Sequence, residues 1–187
     1  MSTQELILTT AYRLFARHGF EKTSLSMIAK EVGITKPAVY YYFPSKEALF
    51  SALLHEVCRE IRFERYFVLE EFDAENFREQ LVRCGLRMIR DQHSDPDYSL
   101  LMKEFMIQST RDESILAAMK SVIDTYASGF RSLLEHGVRL GLVDHSRLQV
   151  KAEQLTMIVD QIDNYMGLGI EFDYEALWNY NVEQVLR

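Results

Sequence analysis

The stretch TSLSMIAKEVGITKPAVYYYFPSKEALF, residues 23–50, decides the fold. Its first apolar residues recur three and four positions apart, which is typical of one face of a helix. Thr23 or Ser24 offers an N-cap, and Gly33 suits the left-handed conformation that often ends a helix. The pattern therefore predicts a short helix over residues 25–32.

A second short helix follows this glycine. Thr35 offers its N-cap, Pro37 lies in its first turn, where a missing N–H costs little, and Pro44 ends it. We expect its inward side to consist of Ala38, Val39, Tyr42 and Phe43. Two helices joined by a tight turn of this kind are the layout of a DNA-binding helix-turn-helix, whose second helix lies in the major groove.

The solvent face of the second helix supports that interpretation. It carries Lys36, Tyr40 and Tyr41, with Thr35 at its start. Consecutive tyrosines pack awkwardly in a small core, because their hydroxyl groups need hydrogen-bonding partners. The sequence therefore predicts that this face contacts DNA.

The flanking sequence is also helical in pattern. Residues 3–18 form a first amphipathic helix that Gly19 should stop, and Ser45 caps a fourth helix whose apolar stripe continues to about Phe67. Five further helices are predicted near residues 74–92, 97–109, 112–140, 147–168 and 173–186. The expected fold is all-α, with about nine helices.

The charge is divided unevenly along the chain. Residues 1–47 hold six Lys or Arg and four Asp or Glu, a balance of +2, whereas the net charge of the whole chain is −7. Residues 48–187 therefore carry −9. A basic surface is the usual footprint of a DNA-binding protein, so only the N-terminal part is electrostatically suited to approach phosphate groups.

The cysteines and the hydropathy pattern indicate in which cellular compartment the protein resides. Cys58 and Cys84 lie inside helical patterns without a Cys-x-x-Cys motif, and we expect both to be reduced thiols in the core. The sequence shows neither a signal peptide nor an apolar run long enough to span a bilayer. We therefore expect a cytoplasmic protein that does not associate with membranes.

Residues 11–50 resemble the N-terminal domain of the tetracycline-repressor (TetR) family. The matching features are Gly19-Phe20, Thr23-Ser24, Ile28-Ala29, Gly33-Ile34-Thr35, Tyr40-x-Tyr42-Phe43 and Ser45-Lys46-Glu47. The resemblance implies an N-terminal three-helix bundle with the helix-turn-helix in residues 1–47. It also implies a larger helical domain for ligand binding and dimerisation in residues 48–187.

The resemblance also assigns roles at the matching positions. Thr35, Lys36, Pro37 and Ala38 would touch base edges, where Lys36 could donate to guanine and Pro37 or Ala38 could meet a thymine methyl group. Tyr40 and Tyr41 match positions that reach bases or phosphates. Phosphate contacts are implied for Ser24, Tyr42 and Lys46, although Tyr42 could equally be structural.

The effector site is less defined, because this part of the family diverges. Our candidates for its lining are Phe63, Met88, Met102, Phe105, Met106, Tyr126, Phe130 and Met157, with Arg62, Gln108 and Gln161 as possible polar anchors. Such a lining suggests a small, largely apolar effector. The acidic surplus would also suit a cationic effector, but it is more often a solvated surface.

Assembly and mechanism follow from the same resemblance. The last two helices, near residues 147–168 and 173–186, would form a two-fold dimer interface, as a palindromic operator requires. We hypothesise that the effector shifts the fourth helix and so changes the separation of the two recognition helices.

Other functions remain open at this stage. The chain could be a transcriptional activator of the same family, or a helical adaptor that does not bind DNA. We expect neither an enzyme nor a cofactor or metal site, because helical-bundle metalloenzymes place Glu three residues before His. The residues three positions before the five histidines of this chain are instead Phe15, Ala52, Arg90, Leu133 and Leu142.

Overall fold

The computed structural model describes the backbone of all 187 residues and every side chain except those of Gln92, His93 and Pro96. Regular structure in this described backbone is helical. The α-helices are α1 (Thr3–Lys22), α2 (Leu25–Val32), α3 (Lys36–Tyr42), α4 (Lys46–Glu60), α5 (Phe77–His93), α6 (Pro96–Ser109), α7 (Glu113–Arg139), α8 (Leu148–Gly167) and α9 (Tyr174–Leu186). Short 3₁₀ helices cover Phe63–Arg65 and Leu69–Glu71. The predicted all-α fold is confirmed.

Two helix ends differ from the prediction in instructive ways. Gly19 breaks α1 with φ +79° and ψ 164°, as predicted, but a last helical turn continues beyond it to Lys22. The fourth helix was predicted to reach Phe67, and this is wrong, because α4 ends at Glu60 and Arg62 is extended. The apolar stripe continues past Glu60, but its rings are buried by a turn instead of a helix.

The first compact unit consists of Met1–Glu60 and Pro96–Met119. Three rings lie at its centre: the centroid of Phe50 is 5.0 Å from that of Phe15 and 4.8 Å from that of Phe105. The Arg17 guanidinium on α1 donates two hydrogen bonds to Asp97 of α6, from Nε at 3.1 Å and Nη2 at 2.9 Å. This unit is therefore larger than residues 1–47, and the predicted functional boundary at 47/48 does not coincide with the division by packing.

The second compact unit consists of Ile61–Asp95 and Lys120–Arg187. Its core includes Trp178, which is wholly buried and donates from Nε1 to the Val82 carbonyl at 3.2 Å. The indole covers Gly85 so closely that a Cβ atom there would lie 2.1 Å from Trp178 Cε2. A glycine in the middle of α5 is therefore required by this helix contact. Among the described helices, none combines the length and apolar character that crossing a membrane requires.

Candidate nucleic-acid interface

Helix α2 is capped at both ends by local hydrogen bonds. Ser24 Oγ accepts from the Met27 N–H at 3.3 Å, so Ser24 is the N-cap of α2. Gly33 follows with φ +78°, and the Ile34 N–H donates to the Ala29 carbonyl at 2.9 Å. A Cβ atom at Gly33 would meet nothing within 4 Å, so the backbone conformation alone favours glycine there.

Thr23, the other candidate for the cap, has a different position. It is buried, and its hydroxyl donates to the carbonyls of Leu14 at 3.1 Å and Gly19 at 2.8 Å. The side chain thereby fixes the end of α1 against the start of α2. Sequence reasoning missed this role, and the one available signal was a threonine placed four residues after the helix-breaking glycine.

The N-terminus of α3 is built as predicted. Thr35 Oγ1 accepts from the Ala38 N–H at 3.3 Å, and Pro37 lies in the first turn. Val39 and Phe43 are buried and attach the helix to the first unit, while Ala38 is half-buried. Tyr42 was also predicted to face inward, which is wrong, because its side chain is 38% exposed. Val39 and Phe43 are sufficient to cover the inner side of so short a helix.

The outer side of α3 presents polar and aromatic groups to solvent. Lys36, Tyr40 and Tyr41 are all exposed, and Tyr41 is the most open of them at 84%. Lys36 Nζ lies 5.6 Å from the centroid of the Tyr40 ring, while Tyr41 and Tyr42 meet edge to face at 5.1 Å. We call the surface formed by Lys36, Tyr40, Tyr41 and Tyr42 the α3 face.

The remaining predicted DNA-contact residues differ in how exposed their side chains are. Ser24, Thr35 and Pro37 are exposed. Lys46 is half-buried, because its Nζ donates to the Phe20 carbonyl at 2.8 Å and lies 4.2 Å from the centroid of the Phe20 ring. Lys46 thus ties the start of α4 to the end of α1, a structural role that sequence reasoning missed.

The effector-site candidates fall into two groups. Phe63, Met88, Tyr126 and Phe130 are buried in the core cluster of the second unit. The first unit contains four others, of which Phe105 is wholly buried, Met102 is half-buried, Gln108 is buried and donates to Glu104, and Met106 is exposed. Arg62 lies exposed on the turn after α4, and Met157 and Gln161 are exposed on α8. The eleven residues therefore do not share one core cluster.

Burial shifts several pKa values in the second unit. It raises the pKa of Tyr126 to about 12, because burial disfavours the charged phenolate. Burial likewise raises the pKa of the Cys84 thiol, and it raises that of Cys58 in the first unit. Neither cysteine forms a disulfide.

The outer surface of α8 and α9 carries a row of exposed apolar side chains. Val150 and Met157 are 58% and 65% exposed on one side of α8, seven positions apart, and Leu168, the C-cap residue of this helix, is 62% exposed. Leu177 and Tyr180 are exposed on α9. A shallow groove of about 250 Å³ lies between the two helices, bounded by Met157, Ile158 and Asn181 among others. We call this surface the α8–α9 face.

The described architecture is that of a helix-turn-helix regulator, and comparison with known proteins gives its family. Residues 7–53 match the family model described as bacterial regulatory proteins, tetR family. The chain is 43% identical over 191 residues to the HTH-type transcriptional regulator RutR of Escherichia coli O157:H7, covering 98% of this chain and 87% of that protein. With RutR of Escherichia coli K12 the matched region is 54 residues, again at 43% identity, and covers 29% and 26% of the two chains.

Other relatives match over the N-terminal region or in fold. The uncharacterized HTH-type regulator YuxN of Bacillus subtilis is 52% identical over 52 residues, which are 28% of this chain and only 18% of that relative. A TetR regulator from Haloarcula marismortui has the same fold with a TM-score of 0.81 at 18% identity, covering 98% and 96% of the two chains. Escherichia coli NemR in its reduced form gives a TM-score of 0.76 at 20% identity, covering 99% and 98%. The chain belongs to the TetR family of transcriptional regulators.

Proposed function

We propose that this regulator is a repressor that binds a palindromic operator as a homodimer and is released by a small, largely apolar effector. The observation that carries the proposal is the α3 face, where Lys36, Tyr40 and Tyr41 are exposed on a helix whose opposite side is anchored by Val39 and Phe43. A helix mounted in this way can enter the major groove without disturbing the core of its own unit.

The residues of the α3 face have complementary tasks in this proposal. Lys36 donates to O6 and N7 of guanine, and Pro37 or Ala38 contacts a thymine methyl group. Tyr40 and Tyr41 reach neighbouring bases or phosphates. Thr35 touches a base edge at the start of the helix, and Ser24, Tyr42 and Lys46 fix the position of the unit on the DNA backbone. The contact between Lys36 and the Tyr40 ring supports the assignment, because it limits the positions that the ammonium group can take.

The α8–α9 face is our proposed dimer interface. Its exposed apolar side chains lie on two adjacent helices, so two copies related by a two-fold axis would bury the same side chains twice. Such a dimer carries two α3 faces and reads the two half-sites of a palindrome, which are about 34 Å apart on DNA. Operator symmetry and protein symmetry then match.

Release by the effector is proposed to act through α4. This helix begins at Lys46, beside the DNA-contacting residues, and ends at Glu60, immediately before the turn that carries Phe63. An effector bound among the aromatic residues of the second unit changes the position of α4, and the α3 faces of the dimer then no longer fit successive major grooves. We propose that the protein acts in the cytoplasm, where its DNA lies, and that it is not an enzyme.

Operator binding tests this proposal directly. Fluorescence anisotropy with the DNA upstream of the gene for this chain should show that Lys36→Ala and Tyr41→Ala each weaken binding by roughly tenfold or more. Lys120→Ala, which removes an exposed lysine from α7, is the matched control and should bind like the unaltered protein. Unchanged affinity and unchanged salt dependence for both α3 variants would contradict the assignment.

A further inference from the structure

The turn between α8 and α9 carries exposed apolar side chains that adjoin one another. Leu168 and Phe172 are 62% and 54% exposed, and Tyr165 is 38% exposed. The ring of Phe172 meets that of Tyr165 edge to face with 5.8 Å between centroids. We call Tyr165, Leu168 and Phe172 the turn patch. A contiguous apolar patch that is left open to solvent is typical of an interaction surface.

Local hydrogen bonds hold the turn patch in one conformation. The Ile170 N–H donates to the Tyr165 carbonyl at 3.0 Å, and the Gly169 N–H donates to the Met166 carbonyl at 2.9 Å. Gly169 has φ +72°, and the Tyr174 hydroxyl donates to the Ile170 carbonyl. Because the turn is already ordered, it loses little conformational entropy when a partner covers it.

The groove of the α8–α9 face lies at the other end of the same two helices. It is bounded by Val150 and Met157 from the first half of α8 and by Asn181 from the second half of α9. The Gln154 side chain joins the two helices there by donating to Asn181 Oδ1 at 2.9 Å. A cavity of about 150 Å³ holds a benzene molecule. The groove, at about 250 Å³, therefore has room for one such ring.

The two ends of this helix pair also differ in charge. The turn end, residues 163–175, carries four acidic side chains and no Lys or Arg, a balance of −4. The groove end, residues 147–154 and 181–187, carries three basic and two acidic side chains, a balance of +1. Two turn ends placed together would repel each other, whereas a turn end beside a groove end is attracted.

We propose that two copies of the chain pair with α8 antiparallel to α8 of the other copy, so that the turn patch of each enters the groove of the other. Parallel pairing would place groove against groove and turn end against turn end, which leaves both grooves unfilled and brings like charges together. The inference rests on the dimer of the proposed function and deepens it, because it fixes how the two copies are oriented.

Cysteine cross-linking in the full chain tests the orientation. Val150→Cys and Leu168→Cys would be prepared separately and treated with a short bifunctional maleimide, alone and after subunit exchange in an equimolar mixture. Antiparallel pairing brings residue 150 of one copy to residue 168 of the other, so only the mixture should give cross-linked dimer. The unaltered chain is the control for the natural thiols of Cys58 and Cys84.

The strength of the dimer tests the turn patch itself. Sedimentation equilibrium should show that Phe172→Ala raises the dimer Kd about tenfold or more, because each dimer loses two rings from its grooves. Ile107→Ala is the matched control: Ile107 is equally exposed at 54%, but it lies on α6. This variant should dimerise like the unaltered chain, and both variants should keep its melting temperature, since neither ring nor side chain is part of a core.

The outcomes distinguish this inference from the proposed function. Cross-linked dimer from Leu168→Cys alone or from Val150→Cys alone would overturn antiparallel pairing and keep the proposed interface. An unchanged Kd for Phe172→Ala, or the absence of cross-linked dimer in the mixture, would also overturn it. Cross-linking between residues 150 and 168 in a protein that never binds operator would keep the inference and refute the repressor.

Discussion

The α3 face and the turn after α4 each carry three aromatic residues within five positions, but they place them in opposite ways. Tyr40, Tyr41 and Tyr42 are exposed, whereas Phe63, Tyr66 and Phe67 are buried. In the first case Val39 and Phe43 already cover the inner side of the helix. In the second, Gly129 on α7 leaves room for the Phe63 ring, since a Cβ atom there would lie 2.4 Å from Phe63 Cγ. The available partner surface, more than the apolar character of the residues, decides which rings are buried.

The largest expected difference between the two regions concerns stability. Phe67→Ala should lower the free energy of unfolding by about 3–5 kcal/mol, because a buried ring is removed from a packed cluster. Tyr41→Ala should change it by no more than about 0.5 kcal/mol, since that side chain is exposed. Urea denaturation of both variants measures this. Similar losses would mean that the α3 face is packed in solution, and the contrast would then be lost.

The sequence predicted the two regions unequally well, and the reason is physical. Ser24, Gly33, Thr35 and Pro37 act through backbone groups within four residues, so their pattern was sufficient to place α2 and α3. The burial of Phe63, three residues after the end of α4, depends on Gly129, which lies more than sixty positions away in the sequence. An apolar stripe that continues past Glu60 fits a longer helix equally well when that partner is unknown.

The effector-site candidates show the same limit. Aromatic and methionine residues on helices were predicted to line one effector site, but Phe105 packs on Phe50 and Tyr126 on Phe63, in different units. Nothing local in the sequence separates these two cases. The exposed Met157 on α8 has a third environment, which only the arrangement of the helices reveals.

The two glycines of these regions offer the second test. Gly129→Ala should destabilise the fold by about 1–3 kcal/mol, because the added Cβ overlaps the Phe63 ring. Gly129→Ala should cost less in a chain that already carries Phe63→Ala, because the ring that the Cβ atom overlaps is then absent. The coupling free energy from the double-mutant cycle is the quantity to measure. Simple additivity would show that the position of the Phe63 ring is not set by this contact.

Gly33→Ala should have a smaller effect with a different cause. There is open space around a Cβ atom at this position, but φ is +78°, so the cost of about 1 kcal/mol is conformational. Gly33→Asn should lose less, because asparagine tolerates the left-handed conformation better. Thermal unfolding compares the two variants, and an alanine variant as stable as the unaltered protein would refute the conformational argument.

The smallest effect concerns pH and comes from the buried Tyr126. Tyr126 has its pKa raised from 10.0 to about 12 by burial, so the folded state holds a proton that the unfolded state releases first. Its contribution to stability is therefore fully present below pH 10 and is lost as the pH rises toward 12. The loss amounts to roughly 1 kcal/mol by pH 10.5. Comparing urea denaturation at pH 8 and pH 10.5, Tyr126→Phe should lose less stability than the unaltered chain. Equal losses for Tyr126→Phe and the unaltered chain would show that water reaches Tyr126.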